Sequence, residues 1–172
     1  VGVFPVGLIY GAAALRAGLT PALARGMSAI VLAGSAQFLT AQLFHVMAPA
    51  VVIVLTIGIV NLRHLLYSAS VAPYVRHLSI GWKLLLSYLL TDEAYAAVIG
   101  YFEKYGVTPT GQWFFLGAGA SLWLTWQVST ALGIFLGATI PESWPLGFAL
   151  PLTFIAMLIP MLKDGAMVAA TR

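Results

Sequence analysis

Between Arg25 and Arg63 the chain reads GMSAIVLAGSAQFLTAQLFHVMAPAVVIVLTIGIVNL (residues 26–62), with no Asp, Glu, Lys or Arg. A helix needs about 20 mostly apolar residues to cross a bilayer. The stretch is too long for one crossing and suits two. A second charge-free stretch, between Lys104 and Glu142, has the same property. Composition agrees: of 172 residues, 61% are hydrophobic and 8% charged, against about 25% charged in a soluble domain. The apolar residues come in unbroken runs rather than the strict alternation of a membrane β-barrel. The fold class this predicts is all-α, a polytopic integral membrane helical bundle.

Breaks at Pro, Gly and charge divide the chain into about six transmembrane segments: Val1–Leu15, Gly26–Phe44, Ala48–Ala72, Lys83–Phe102, Gln112–Ile140 and Trp144–Leu162. The loops between them are short, so residues 1–172 read as one membrane-embedded domain. The start at Val1, without Met or the basic region of a signal peptide, and the apolar run before Arg172 predict a chain cut at both ends, with one more helix to follow. If all six segments span, Arg16, Arg25, Arg76 and Lys83 share one side, with Lys104, Lys163 and Arg172 opposite. Counting positive charge then favours the first side as cytoplasmic.

Cysteine is absent, His45, His64 and His77 are dispersed, and the eight Lys/Arg are scattered. No disulfide, metal site or nucleic-acid patch is expected. Signatures such as HExxH, GxSxG and the P-loop are missing, so neither an enzyme nor a cofactor is expected.

Several segments carry breakers: Pro5 and Gly7 in the first, Gly34 in the second, and Pro145, Pro151 and Pro160 in the last. Freed backbone groups within a membrane need protein or a wet cavity to satisfy them, and broken helices often form transporter sites; a packing kink is the other reading. Gly34-Ser35-Ala36-Gln37 is a small polar interruption that either lines a substrate site through Gln37 or packs helices. Trp123, Trp126, Gln127 and Thr130 share a face and read as structural. The pairs Gly7/Gly11 and Gly133/Gly137 have the spacing of close helix contacts.

The chemistry lies in two stretches, Val60-Asn61-Leu62-Arg63-His64-Leu65-Leu66-Tyr67-Ser68 and Leu89-Leu90-Thr91-Asp92-Glu93-Ala94-Tyr95. A charge at a helix centre costs about 2.5–3.5 kcal/mol on insertion scales. The apolar residues of the fourth segment return about −4 kcal/mol at about −0.5 each, which Asp92 and Glu93 together cancel. The acids must therefore be held against partners or water. Tyr88, Thr91, Asp92 and Tyr95 form one stripe on a continuous helix, with Glu93 about 100° away. Arg63 is the obvious counter-ion for Asp92 or Glu93, which leaves one acid unmatched. An unmatched acid in an apolar setting is a candidate proton carrier, and His64 is a second. A static ion pair fixing helix register, or Arg63 snorkelling to a membrane end, are the plainer alternatives. Asn61 and Gln37 complete the set as polar support.

Asn61-Leu62-Arg63-His64-Leu65-Leu66-Tyr67 followed by Leu90-Thr91-Asp92-Glu93-Ala94 resembles the AzlC family of branched-chain amino-acid exporters. Phe4-Pro5-Val6-Gly7-Leu8, Ala33-Gly34-Ser35-Ala36-Gln37-Phe38 and Ile159-Pro160-Met161-Leu162-Lys163-Asp164 extend the likeness, and Gly165 departs from it where the family often has Arg. The resemblance implies a permease of the bacterial cytoplasmic (inner) membrane exporting leucine, isoleucine, valine and sometimes methionine. It also implies proton coupling and a small hydrophobic AzlD-like partner subunit. Such a zwitterionic substrate needs a cation for its carboxylate (Arg63 or a helix N-terminus) and an acid for its ammonium (Asp92 or Glu93). A passive small-solute channel and a structural subunit that needs its partner are the competing readings.

Overall fold

The computed structural model describes residues 2–137; the sixth expected segment, Trp144–Leu162, and the Ile159–Asp164 stretch lie outside them. Among the described residues the chain forms eight helices and no strand: α1 Val3–Arg16, α2 Pro21–Ile30, α3 Gly34–His45, α4 Ala50–Asn61, α5 Arg63–Val75, α6 Ile80–Tyr88, α7 Asp92–Tyr105 and α8 Gly111–Gly137.

Local chemistry accounts for most boundaries. Gly18 turns the chain after α1 at φ 93°, a conformation open to glycine without strain. Thr20 then caps α2, its hydroxyl accepting from Leu23 N at 3.3 Å, with Pro21 at the first helical position, where the missing N–H costs nothing. Thr91 caps α7 by accepting from Ala94 N at 3.2 Å, and Asp92 and Glu93 fill the first turn, where negative charge suits the helix dipole. Gly106, at φ 67°, ends α7.

Three of the expected segments are each two helices. The second is interrupted over residues 31–33, the third at Leu62 and the fourth over residues 89–91. Across Leu62 the chain stays in helical backbone geometry, so Ala50–Val75 forms one stretch of 26 residues. At 1.5 Å per residue it is about 39 Å long, more than the roughly 30 Å hydrocarbon core. By length and composition it is the one described helix able to cross a membrane unaided, and none of its most apolar window is buried.

Two apolar cores are joined by α8. One gathers Tyr10, Ala14, Leu19, Ala24, Phe38, Ala41 and Trp126 from α1, α2, α3 and α8. The other gathers Val71, Leu86, Leu90, Val98, Phe102 and Phe115 around α5 to α8. The α1–α8 contact is the most extensive among the described residues, and glycine makes it possible. A Cβ on Gly11 would stand 2.5 Å from the Thr130 carbonyl oxygen, and one on Gly137 2.8 Å from Ala12 Cα. One on Gly133 would enter the Leu8 backbone. Gly7/Gly11 and Gly133/Gly137 thus pack as reciprocal small-residue pairs, the geometry such spacing permits in membrane helices.

Polar side chains lock α2 and α6 to α8. Gln127 Nε2 donates to the Ser28 carbonyl oxygen at 2.9 Å, Ser28 Oγ to Thr130 Oγ1 at 3.1 Å, and Arg25 to the Gln127 carbonyl oxygen. Trp123 Nε1 donates to Tyr88 Oη at 2.8 Å, and Tyr88 donates onward to the Ala29 carbonyl oxygen. The stripe on α8 is therefore mainly an interlock.

Candidate functional site

The three helix breaks converge. A partly enclosed cavity of about 130 Å³ is bordered by Leu32, Ala33, Gly34 and Ser35 at the start of α3, by Arg63 at the start of α5, and by Thr91, Asp92 and Glu93 at the start of α7. Val3 and Val6 of α1, with Leu122 and Trp126 of α8, close it with apolar walls. The first turns of α3, α5 and α7 thus border one space. Those of α3 and α7, which follow extended residues, present N–H groups without intrahelical acceptors and the positive end of a helix dipole, whereas α5 continues α4 in helical geometry.

Each break has its own construction. Val31 and Ala33 are extended, and the buried Gln37 amide repairs the gap. Its Nε2 donates to the Val31 carbonyl oxygen and its Oε1 accepts from Trp126 Nε1 at 3.2 Å. Gly34 lets Trp126 close in, since a Cβ there would lie 3.1 Å from the indole. The Gln37 amide thus spends its hydrogen bonds on the break behind the cavity wall and does not border the cavity.

Arg63 ties the other two breaks together. Its Nη2 donates to Ser35 Oγ at 2.7 Å and lies 3.0 Å from Asp92 Oδ2. One guanidinium therefore links the first turns of α3, α5 and α7. The pair is part-exposed, with side chains 30% and 39% accessible. Asn61 Oδ1, Arg63 Nε and Asp92 Oδ1 are buried without partners among the described residues. Buried polar atoms are seldom left so, and here three of them cluster at one charged junction.

Arg63 stands near the middle of the Ala50–Val75 stretch, about 20 Å from either end at 1.5 Å per residue. That depth does not fit a snorkelling side chain, and a charge there makes Arg63 a candidate site residue.

The remaining candidates are placed differently. Glu93 borders the cavity, and among the described residues no side chain forms an ion pair or hydrogen bond with it. His64 lies outside the cavity lining: its Nδ1 is 3.3 Å from the Asn61 carbonyl oxygen and its ring packs edge-on against Tyr67 at 5.7 Å. Tyr67 stacks on Tyr95 at 4.4 Å, and Tyr95 donates to Ser70 Oγ at 3.1 Å. The break before α7 takes Tyr88 off the stripe expected with Asp92 and Tyr95; Tyr88 sits instead in the α8 interlock. Ser35 as the Arg63 partner was not singled out from sequence, although Gly34-Ser35 marked the place.

These features define a class: an all-helical membrane protein whose helices are interrupted around an internal charged cavity. The AzlC protein family model matches residues 1–140, and the chain belongs to that family. It is 27% identical over 165 residues to the inner membrane protein YgaZ of Escherichia coli, covering 92% of this chain and 67% of that protein. It is 28% identical over 171 residues to an uncharacterized membrane protein of Archaeoglobus fulgidus, covering 96% and 72%. No solved structure matches. The chain is accordingly a protein of the inner (cytoplasmic) membrane with a transport-related role.

Proposed function

We propose that the protein is a secondary transporter that exports branched-chain, aliphatic amino acids, coupled to the proton gradient, with its site in the cavity at the three helix breaks. The observation that carries this reading is the junction itself: a mid-span arginine and two acids beside apolar walls, bordered by the N-termini of α3 and α7. A zwitterion with an aliphatic side chain is the complement of such a space. Its carboxylate takes the N-termini and Arg63, and its ammonium takes Glu93 or the free oxygen of Asp92. Its side chain lies against Val3, Val6, Leu122 and Trp126. Broken helices of this kind recur in transporter sites.

The reading treats α2–α3 and α6–α7 as broken spans within a polytopic, multi-pass bundle. It assigns proton carriage to Glu93, because Arg63 engages Asp92, and keeps His64 with Asn61 as support of the α4–α5 junction. It also includes a small AzlD-like membrane subunit as partner; α4, which among the described residues has no buried residue, offers an uncovered helix.

Counterflow tests it. Full-length protein, with and without the small subunit, is reconstituted into liposomes preloaded with unlabelled leucine, and uptake of labelled leucine is followed. Saturable transient accumulation above empty liposomes is expected. Flux that rises linearly with concentration and never accumulates would indicate a pore and contradict the reading.

A further inference from the structure

Outside the cavity at the breaks, a second concavity of about 320 Å³ opens between α5, α6 and α8. Arg76 and Lys83 stand on its rim, and Ser68 and Ser87 border it together with Leu86 and Phe115. Arg76 directly follows the Ala50–Val75 stretch, so it sits at a membrane face. Ser68 lies two turns deeper, about 12 Å at 1.5 Å per residue. The groove therefore runs from a charged surface end to an apolar depth along the bilayer normal. No acid borders it, and among the described residues neither cation has a hydrogen-bond or ion-pair partner. Two unneutralised cations above an apolar slot match an anionic headgroup with its acyl chain; basic pockets between helices on the cytoplasmic side hold such lipids.

We propose that this groove binds an anionic phospholipid, its phosphate between Arg76 and Lys83 and its acyl chain against Leu86 and Phe115. The Ser87 hydroxyl, one turn from Lys83, is placed to donate to the phosphate or ester oxygens. A zwitterionic lipid carries a choline that the two cations repel, so the site discriminates by headgroup charge. Neither cation borders the cavity at the breaks, so the two sites are separable by mutation.

The test is native mass spectrometry of the full-length protein released from detergent with palmitoyl-oleoyl phosphatidylglycerol or the matching phosphatidylcholine. Retention of phosphatidylglycerol is expected at roughly ten- to thirtyfold lower lipid concentration, the scale of two basic residues near an anionic surface. Arg76→Gln with Lys83→Gln is expected to bring both lipids to the same level, whereas Arg76→Lys with Lys83→Arg is expected to keep the preference. Equal retention of the two lipids by the unmodified protein overturns the proposal, and needs no variant to fold. A preference undiminished in the Gln variant overturns it as well. Loss of phosphatidylglycerol to millimolar inorganic phosphate would show a free-anion site and also overturn it.

Discussion

Arg63 is the residue on which the site turns. Its guanidinium reaches Ser35 and Asp92 through one nitrogen while Nε is left over, so the junction is held but not saturated. Removing Arg63 leaves Asp92 uncompensated at mid-span, which is costlier than removing both charges. Arg63→Gln is expected to lower thermal stability in detergent, with Arg63→Gln/Asp92→Asn recovering part of the loss. The coupling should fall at roughly 0.5–3 kcal/mol, toward the low end because the pair is part-exposed. Additive losses would show that the pair contributes nothing as a pair. Glu93 has a different expected phenotype. For an exporter driven by inward proton movement, lowering the external pH speeds leucine efflux, because more protons are available to the outward-facing carrier. Glu93→Gln mimics the protonated acid permanently and should flatten that dependence while the protein still folds. Efflux that keeps its full response to external pH in this variant would remove Glu93 from the coupling. Sequence reading reached Arg63, Asp92 and Glu93 because charge in an apolar segment is conspicuous by cost alone. It could not divide the acids between partner and free group, since that depends on where α7 begins.

At the scale of elements, the breaks do most of the work, and they were only partly legible. Gly34 advertised an interruption, but nothing short of Thr91 acting as a cap separates α6 from α7. A capping threonine within an apolar run reads equally as one more polar residue on a continuous helix, and the expected Tyr88 stripe failed for that reason. Gln37 shows the converse: its amide suits a ligand on paper, yet the open Val31 carbonyl claims it first. Gln37→Leu is therefore expected to destabilise the α2–α3 junction, leaving the Val31 carbonyl and Trp126 N–H unpaired at about 1–3 kcal/mol for a buried group. A melting temperature equal to that of the parent would contradict this role. The glycine pairs were visible as spacing, while their mutual partnership depends on α1 and α8 meeting, more than a hundred residues apart. Gly133→Ala should cost about 1–3 kcal/mol by overpacking and appear as a lower melting temperature. Gly58→Ala, where an added methyl meets nothing, serves as the control. If the two variants melt alike, the crossing is looser than described.

At the scale of the whole molecule, the described residues combine a hydrophobic exterior, two apolar cores and a charged cavity at the breaks into a consistent membrane design. Exposed Val51, Val54, Leu55, Ile59, Leu62, Leu65 and Leu66 would be an aggregation surface in water and are an ordinary lipid-facing surface in a bilayer. Composition made the membrane class plain, and the Asn-Leu-Arg-His and Leu-Thr-Asp-Glu stretches made the family plain. The meeting of three breaks at one point was hidden, because tertiary packing alone brings residues 32–35, 63 and 91–93 together. That convergence is the central claim, and the absence of cysteine from the sequence allows a direct test. A single cysteine at Leu122, on the apolar wall of the cavity, is labelled with a small maleimide in the reconstituted protein at increasing leucine concentration. The account predicts that leucine slows labelling saturably, at concentrations similar to those that saturate counterflow, and that lysine and glutamate do not. A labelling rate unchanged at saturating leucine, in protein that still performs counterflow, would place the substrate elsewhere and contradict the account.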